Sequence, residues 1–407
     1  MLPLCLSCFQ GAYNDKSMFR VRMLWHVSDP PIPPLTTGHR NAVSLTREDE
    51  LRSLVQARLR SALAKRRRCD LPNDATSAFR LVNSEGDGLS GVVVDVFGTV
   101  AVVSSSAIWA EVHRDAIVEA VEALGIVDRV EWQQSVSRLQ QDGWERPAVA
   151  EEGGVEEEAK EAYADADSST GDASGFFDVE VEAEEAEEAG DVTIKAAPVE
   201  QEDEYVIREL GLEYFVNLRT AQKTGFYCDQ RDNRAQLRSL VSADDDVLDV
   251  CCYTGGFALN AAAGGARSVL GIDSSAAAVA AAERNAALNN LSGDQITFEK
   301  WDMMDFMHDA VREGRSFSVV ILDPPKLAPS RKSLDRAKSR YRRLNRLGMQ
   351  LLKPGGLLVT CTCSSAMASA SDLFVSLPIL PVLPSPPSPP GPPTDKRVLT
   401  NMATTVF

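Results

Sequence analysis

Two cysteines, Cys361 and Cys363, lie one residue apart at the end of an apolar run, in the stretch VTCTCSSA that spans Val359–Ala366. An accessible cysteine can act as a nucleophile through its thiolate, whereas a cysteine inside a strand usually packs as a small buried residue. These eight residues alone leave both interpretations open. The choice depends on which other groups lie at the same place in the fold.

Four carboxylates follow predicted strands at equivalent positions. Asp249 lies near the end of one apolar strand, Asp273 ends the next, and Asp302 follows the third. Asp323 ends the fourth, before two prolines that cannot continue a strand. Asp273 can accept hydrogen bonds from both hydroxyls of a ribose, and Asp302 can accept one from an adenine amino group. The pattern therefore favours a cofactor that contains a nucleoside.

A turn rich in glycine connects the first of these strands to a helix. It reads Tyr253-Thr254-Gly255-Gly256-Phe257. Two glycines allow the backbone to approach a ligand, and the N–H groups at the start of the helix point at it. The turn lacks the Gly-x-Gly-x-x-Gly pattern, so a dinucleotide is the less favoured ligand.

Strands and helices alternate from residue 205 to 372, which predicts a doubly wound parallel sheet. The predicted strands are DDVLDVCCY, SVLGID, ITFEKWD, FSVVILDPP and GGLLVTCTC; the predicted helices are GGFALNAAAGGA, SSAAAVAAAERNAALNN and KSRYRRLNRLGMQLL. Ligands of such sheets bind outside the carboxyl ends of the strands. Both cysteines end the fifth strand at that edge, which favours a catalytic cysteine.

The remainder of the chain divides by composition. We predict one or two strands in 1–29, a Pro-rich linker at 30–45, a small central α/β domain at 46–146, an acidic disordered insert at 147–204, the doubly wound domain at 205–377 and a Pro-rich disordered tail at 378–407. In the central domain, Thr46 opens a helix, VVVDVFGTVAVVSSS forms a hairpin, and a helix runs from about Trp109 to Leu124.

Charge is distributed unevenly. The net charge is −17, but residues 151–200 contain 18 acidic and 2 basic residues, so the rest is nearly neutral. The scattered cysteines form no disulfide framework, and one Cys-x-x-Cys pair with four histidines in the chain predicts no metal site. No apolar run reaches the length of a membrane span. We expect a soluble protein of a reducing compartment.

Two basic segments are candidates for contact with nucleic acid. The run KRRRC at 65–69 either touches RNA phosphates or is a solvated helix end; the sequence leaves both open. Residues 331–353 contain nine Lys or Arg and one Asp, a density that suggests phosphate contacts. Tyr341 within it is predicted to stack on RNA. The candidate RNA-binding residues are Lys326, Arg331, Lys332, Arg340, Tyr341, Arg342 and Arg343.

Four sequence blocks in this order resemble the bacterial 23S ribosomal RNA cytosine-5 methyltransferases, which carry a PUA domain and have the class I methyltransferase fold. The blocks are LRTAQKTGFYCDQRDNR (218–234), VLDVCCYTGGFALNAAAGGA, VVILDPPKLAPSRK and LLVTCTCSSAMASASDLF. The resemblance covers about 79–146 and 205–374, and residues 11–24 resemble the strand that leaves the PUA domain. It implies S-adenosylmethionine as cofactor and ribosomal RNA as partner.

The resemblance also implies roles for individual residues. Cys363, the cysteine followed by Ser, corresponds to the nucleophile, which adds to carbon 6 of cytosine so that carbon 5 accepts the methyl group. Asp323 would grip the pyrimidine. Gln222, Lys223 and Thr224 are candidates for cofactor contacts. Related enzymes with a second cysteine carry it where Lys326 stands here, so a single-cysteine scheme applies.

The ends of the chain depart from that family. Most of the PUA domain is missing before Gly11, and the resemblance stops after Phe374. We therefore expect truncated ends and keep two alternatives: a guanine-N7 or uracil-C5 methyltransferase on the same scaffold, or an RNA-binding remnant without activity. The expected compartment is the cytoplasm or an organelle, either a plastid or a mitochondrion.

Overall fold

A computed structural model describes residues 2–6, 9–14, 17, 21–26, 47–144, 204–218, 224–291, 293–325, 334–362 and 397–399. The predicted linker 30–45 lies outside the described residues, as do nearly all of the acidic insert and the Pro-rich stretch 378–393. Among the predicted site residues, Gln222, Lys223, Lys326, Arg331, Lys332 and Cys363 also lie outside them.

The predicted doubly wound sheet is confirmed, with six strands that are all parallel. Their order across the sheet is Ile296–Lys300, Ser268–Asp273, Asp246–Val250, Phe317–Leu322, Leu352–Thr360 and Arg397–Leu399. One face is covered by the helices Arg231–Leu240, Gly256–Ala263 and Ala276–Leu288, the other by Met303–Arg312 and Leu334–Gln350.

The central strands are apolar at consecutive positions because helices cover both of their faces. In Phe317–Leu322, Val319 and Ile321 belong to the core on one side of the sheet, and Val320 and Leu322 to the core on the other. Alternation along the strand therefore directs side chains into two separate cores, and a continuous apolar run satisfies both.

The sequence patterns did not predict several elements of this part. A hairpin of Glu204–Glu209 and Leu212–Asn217 precedes the sheet, and the helix Arg231–Leu240 follows the hairpin. The helix Met303–Arg312 follows the strand Ile296–Lys300. Another element is the short strand Arg397–Leu399, which lies within 378–407, where disorder was predicted. This short segment pairs with Leu357–Val359, whose strand would otherwise present unpaired N–H and C=O groups.

Side-chain amides attach the hairpin to the helix Ala276–Leu288. Asn285 Oδ1 accepts from the N–H of Phe215 at 2.8 Å, and Asn289 bonds both the N–H and the C=O of Glu213 at 2.8 and 2.7 Å. Asn285 also donates to the carbonyl of Thr254 at 3.0 Å. The edge of the hairpin is thereby paired with a helix that also supports the glycine turn.

The central unit has a four-stranded sheet in the order Ala78–Asn83, Val92–Phe97, Val100–Ser105 and Arg129–Gln134. The predicted hairpin is confirmed. The helices are Arg47–Arg68, Ile108–Val112, Arg114–Glu122 and Val136–Gln141, with a 3-10 turn at Ser84–Asp87. The single helix predicted from Trp109 to Leu124 is wrong, because the backbone leaves helical geometry at His113 (φ −112°, ψ 29°).

The basic run at the end of the helix Arg47–Arg68 has a structural role in part. Lys65 and Arg66 form ion pairs with the buried Asp87 at 2.9 and 2.6 Å, and Arg66 donates to the carbonyl of Arg80. Arg67 and Arg68 are exposed. Two of the four cations therefore fasten the helix to the central sheet, which neither interpretation from sequence included.

The N-terminal residues form three antiparallel strands, Leu2–Leu6, Phe9–Tyr13 and Val21–His26, where one or two were predicted. The sequence between the first two contains no Gly, Pro, Asn or Asp that would mark a turn. Buried Asp142 connects this sheet to the central unit by accepting from Arg22 at 2.9 Å, and also from Ser17.

A fully buried ion pair links the hairpin to the helix Arg231–Leu240. Arg234 donates to Glu209 Oε1 and Oε2 at 2.6 and 2.7 Å, and the two side chains are 4% and 0% exposed. On the same strand, Glu204 pairs with Arg284 at 2.7 Å, and there the arginine is 53% exposed. The two pairs share chemistry and strand but differ in burial.

We predict that Arg234→Met lowers the free energy of unfolding by about 3–5 kcal/mol, because it leaves the Glu209 carboxylate buried without a counter-charge. The matched variant Arg284→Met should cost about 0.2–1 kcal/mol, since water screens the exposed pair. Urea unfolding of the two variants measures the difference. Equal losses would contradict the role of burial.

Candidate functional site

The carboxyl ends of the central strands are joined by backbone hydrogen bonds at one edge of the sheet. The N–H of Cys252 donates to Ile272 O at 2.9 Å, that of Asp323 to Val250 O at 3.4 Å, and that of Cys361 to Leu322 O at 2.8 Å. The chain reverses its direction across the sheet between Asp246–Val250 and Phe317–Leu322. Among the predicted residues, Asp249, Asp323 and Cys361 therefore lie at the switch point, where α/β sheets bind ligands.

The turn after the first strand has a constrained backbone. Cys251 and Tyr253 have φ of 63° and 50°, and Gly255 has 86°. Residues other than glycine rarely adopt positive φ, and such strain concentrates at ligand sites. The turn is held by the N–H of Gly255, which donates to Cys252 O at 2.9 Å, and by the amide of Asn285 on Thr254.

The two glycines have a packing function that the sequence did not indicate. A Cβ at Gly255 would lie 2.5 Å from Leu259 Cδ1, and one at Gly256 would lie 3.3 Å from Arg234 Cδ. Protein atoms therefore fill the space beside both residues. Phe257, the last residue of the predicted turn, is buried in the core.

Asp273 fastens the turn to the second strand. Its Oδ2 accepts from the N–H of Tyr253 at 3.0 Å, and its Oδ1 accepts from the N–H of Ser275 at 2.9 Å. The residue is half-buried. Each carboxylate oxygen has more than one acceptor site, so these bonds leave capacity for a ligand.

Asp302 caps the helix Met303–Arg312. Its Oδ1 accepts from the N–H groups of Met304 and Asp305 at 2.7 and 3.2 Å, and the residue is exposed. This cap explains the residue type without a ligand. The cap and a ligand contact are compatible, because the described bonds use one oxygen.

Asp249 is fully buried beneath the turn. Its Oδ2 accepts from the N–H of Ala258 at 2.9 Å, while its Oδ1 has no hydrogen-bond partner among the described residues. Burial raises the pKa of this carboxyl well above its usual range, and the charges of Asp323 and Asp273 raise it further. The acidic form is therefore favoured where no cation is near.

All four predicted carboxylates raise the pKa of one thiol, that of Cys251. The pKa of Cys251 is raised by burial and then by the charges of Asp273, Asp323, Asp249 and Asp302. Its Sγ lies 3.6 Å from Met303 Sδ. The negative charges of all four strand-end carboxylates therefore oppose ionisation of Cys251.

The segment that follows the hairpin reaches the turn through aromatic and ionic contacts. Tyr227 packs edge-to-face on Tyr253 with ring centroids 5.6 Å apart. Arg234 donates to Tyr227 O at 2.9 Å and lies 4.9 Å above the ring of Phe226. Sequence reasoning did not single out Arg234 or Glu209, because their pairing joins residues 25 positions apart.

Thr224, a predicted cofactor contact, is buried and donates its hydroxyl to Asp95 Oδ2 of the central unit at 2.5 Å. Its hydroxyl proton is therefore used in a hydrogen bond within the protein and is not available to the cofactor.

Cys361 and the residues beside it point alternately to the two faces of the sheet. Cys361 is 1% exposed, and burial, then Asp323 and Asp249, raise the pKa of its thiol well above the usual range. On the other face, Thr360 donates to Asn345 Oδ1 at 3.0 Å and Thr362 to the hydroxyl of Tyr341 at 3.1 Å. Half-buried Asp323 lies at the same edge.

The predicted stacking of Tyr341 on RNA is wrong. Its side chain is 1% exposed, because it shares the sheet-facing side of the helix with Ala337, Leu344 and Asn345. The other candidates on this helix, Arg340, Arg342 and Arg343, are exposed, as are Arg336 and Arg346. Arg343 lies 2.8 Å from Nε2 of His308 on the neighbouring helix.

Two further features are absent from the described part of the chain. No group of three or more His, Cys, Asp or Glu there is suited to hold a metal ion. Likewise, no helix among those residues is long and apolar enough to cross a bilayer.

Known proteins share both sequence and fold with this chain. A profile of the S-adenosylmethionine-dependent methyltransferases matches residues 188–376. Two proteins named ribosomal RNA large subunit methyltransferase I are similar: that of Pseudoalteromonas atlantica, 34% identical over 72% of this chain and 62% of the relative, and that of Alteromonas mediterranea, 31% identical over 90% and 75%. The chain therefore spans less than two thirds of the first relative.

Solved structures agree in fold. A methyltransferase from Streptococcus mutans described as S-adenosylmethionine-dependent has a TM-score of 0.60 at 20% identity, covering 91% of this chain and 77% of its own. A methyltransferase in complex with S-adenosylhomocysteine has a TM-score of 0.58 at 21% identity, covering 83% and 73%. The described fold is that of the class I methyltransferases.

We predict that Asp249→Asn stabilises the ligand-free protein at pH 7. The folded protein binds the Asp249 proton more tightly than the unfolded chain does, so stability falls as the pH rises from the unfolded pKa of about 3.9 towards the folded value. Asparagine carries no charge and keeps the acceptor for Ala258. The unfolding midpoint should therefore rise, and its dependence on pH should weaken.

Asp246→Asn, on the same strand, is the matched control, and its expected effect on stability has the opposite sign. Bonds from Arg267, then Lys353, hold the pKa of Asp246 below its usual range. Its contribution to stability is thus present above the unfolded pKa and is lost as the pH falls through the folded value. This variant should lower the midpoint at pH 7. Thermal unfolding between pH 5 and 8 measures both midpoints. A shift of the two midpoints in the same direction would contradict the opposite pKa shifts assigned to Asp249 and Asp246.

Proposed function

Because this chain belongs to the family of S-adenosylmethionine-dependent methyltransferases, we propose that it methylates carbon 5 of a cytosine in large-subunit ribosomal RNA. The names of its relatives support the substrate. The observation that carries the proposed reaction is the strand Leu352–Thr360, which is followed by Cys361 at the sheet edge where Asp323 lies. Cys363 stands two residues further along the sequence.

The carboxylates of the edge fit the cofactor of the family. S-adenosylmethionine, when bound, supplies an electrophilic methyl group. Asp273 would accept from its ribose hydroxyls and Asp302 from its adenine amino group. Asp249 has a buried oxygen without a partner among the described residues, next to the turn. A cation such as an ammonium would both satisfy this oxygen and favour its ionised form.

Tyr253, Thr254, Gly255, Gly256 and Phe257 would form the wall of the cofactor site through their backbone. Gln222 and Lys223 remain proposed contacts. Thr224 would contribute through its position instead of its hydroxyl, which is donated to Asp95.

Asp323 would hold the target base. A carboxylate can accept from the exocyclic amine of cytosine, a group that uracil lacks. Asp323 is half-buried, so a hydrogen bond there is stronger than one in water. The N–H of Cys361 donates to the carbonyl of Leu322, the residue before Asp323, at 2.8 Å, which supports a short distance between this carboxylate and Cys361.

Cys363 is the proposed nucleophile, and the environment of Cys361 supports the choice. A thiolate attacks carbon 6 of the cytosine, carbon 5 gains the methyl group, and a base then removes the carbon 5 proton so that the thiol leaves. Cys361 is buried, and its raised pKa keeps it as the inert thiol. If the extended backbone continues past Thr362, period-two alternation would direct Cys363 to the same face as Cys361.

The exposed arginines of the helix Leu334–Gln350 would bind RNA phosphates. Arg340, Arg342 and Arg343 lie on a helix that contains six basic residues and one acidic residue. The same helix bonds Thr360 and Thr362 at the strand end, so RNA bound there would lie near the cysteine motif. Lys326, Arg331 and Lys332 are proposed to extend this surface.

The test uses RNA that contains 5-fluorocytosine. Fluorine at carbon 5 cannot be removed as a proton, so the protein should remain covalently attached to the RNA when the cofactor is present. Cys363→Ala should abolish both the adduct and turnover. Cys361→Ala should keep both and should lower stability, because it removes a buried side chain.

Gel electrophoresis and mass spectrometry of the adduct measure the outcome. If the adduct survives in Cys363→Ala and disappears in Cys361→Ala, the two roles are reversed. If neither substitution changes turnover, the covalent mechanism is wrong and both cysteines are packing residues.

A further inference from the structure

The chain between Thr224 and Tyr227 is held at each end by an ion pair between an arginine and a buried carboxylate. At its start, Thr224 donates to Asp95, which also accepts from Arg80 at 2.9 and 3.0 Å. At its end, the carbonyl of Tyr227 accepts from Arg234, which is paired with Glu209. Both carboxylates are 0% exposed.

Packing between these two points leaves the segment little freedom. Gly225 has φ of 133°, and a Cβ there would lie 2.8 Å from Val216 Cγ1 and 3.4 Å from Phe97 Cε2. Phe226 is buried against Tyr214 with ring centroids 5.0 Å apart. The segment thus passes between the hairpin and a strand of the central unit.

The segment leads from Thr224 to Tyr227, which packs on Tyr253 of the glycine turn. A displacement at Thr224 would therefore be transmitted to the turn that forms the proposed wall of the cofactor site. Asp95 lies in the strand Val92–Phe97 of the central unit, which is otherwise remote in sequence from the methyltransferase fold.

We infer that Asp95 is a positioning residue for cofactor binding, which acts through the hydroxyl of Thr224 and thereby makes the central unit a part of the cofactor site. Asp95 itself touches no ligand. The charge of Arg80 stabilises the buried carboxylate, so the acceptor for Thr224 is fixed before the cofactor binds. This inference goes beyond cytosine methylation and depends only on the use of S-adenosylmethionine by the family.

The experiment measures the dissociation constant of S-adenosylhomocysteine by calorimetry with the full chain and without RNA. Thr224→Val replaces the hydroxyl by a methyl group of similar size, and the affinity should fall about tenfold or more, as expected when a bond to a charged group is lost. Thr224→Ser keeps the hydroxyl and should restore the affinity to within about threefold, on the same scale.

Thr76→Val is the matched control. Thr76 is a buried threonine of the same central unit, and its hydroxyl accepts from the N–H of Leu210 in the hairpin at 3.1 Å. It thus joins the same two parts of the protein away from the segment. Its substitution should lower the unfolding midpoint by an amount similar to that of Thr224→Val, with an unchanged dissociation constant.

Asp95→Asn separates positioning from direct contact. The amide has one acceptor oxygen in place of two, so Arg80 or Thr224 loses a partner, and the affinity should fall although Asp95 has no proposed contact with the ligand. Unchanged binding in Asp95→Asn together with weak binding in Thr224→Val would overturn the inference in favour of direct contact by Thr224. Equal losses of affinity in Thr76→Val and Thr224→Val would overturn it in favour of general destabilisation.

Discussion

The parallel order of the strands is the constraint on which the rest of the structure depends. It brings Asp249, Asp273, Asp302 and Asp323 to one edge, where burial makes negative charge costly. Backbone N–H groups of the turn and of two helix starts neutralise part of this cost. The part of this cost that the N–H groups do not offset raises the pKa of Asp249. An edge of this kind favours ligands that bring hydrogen-bond donors and positive charge.

The cations that support this edge come from outside the sheet. Arg234 reaches Glu209 of the hairpin and packs beside Gly256, while Arg80 of the central unit reaches Asp95. A continuous core joins these parts, since Phe97 and Val100 of the central unit belong to the same cluster as Phe226, Phe257 and Leu259. The central unit is therefore structural support for the edge, whatever contact it makes with RNA.

Sequence patterns predicted the strands and the strand-end carboxylates because these depend on local periodicity. Val319–Leu322, for example, is an apolar run between Ser318 and Asp323, as burial on both faces requires. Tyr341 was assigned wrongly because its role depends on helical phase: one step of 100° separates it from the exposed Arg340 and Arg342.

The partners of Thr224 and Arg234 could not be predicted, because Asp95 lies 129 residues away and Glu209 belongs to a hairpin that the alternation of strands and helices does not contain. The role of Cys363 stays a prediction.

The identity of the methylated nucleoside tests the central claim most directly. Unmodified large-subunit ribosomal RNA is incubated with the protein and with S-adenosylmethionine that carries an isotopically labelled methyl group, then digested and separated by mass spectrometry. The account predicts that the label is recovered in 5-methylcytidine. Label in a methylated guanosine or uridine, or no transfer by a protein that binds the cofactor, would contradict it.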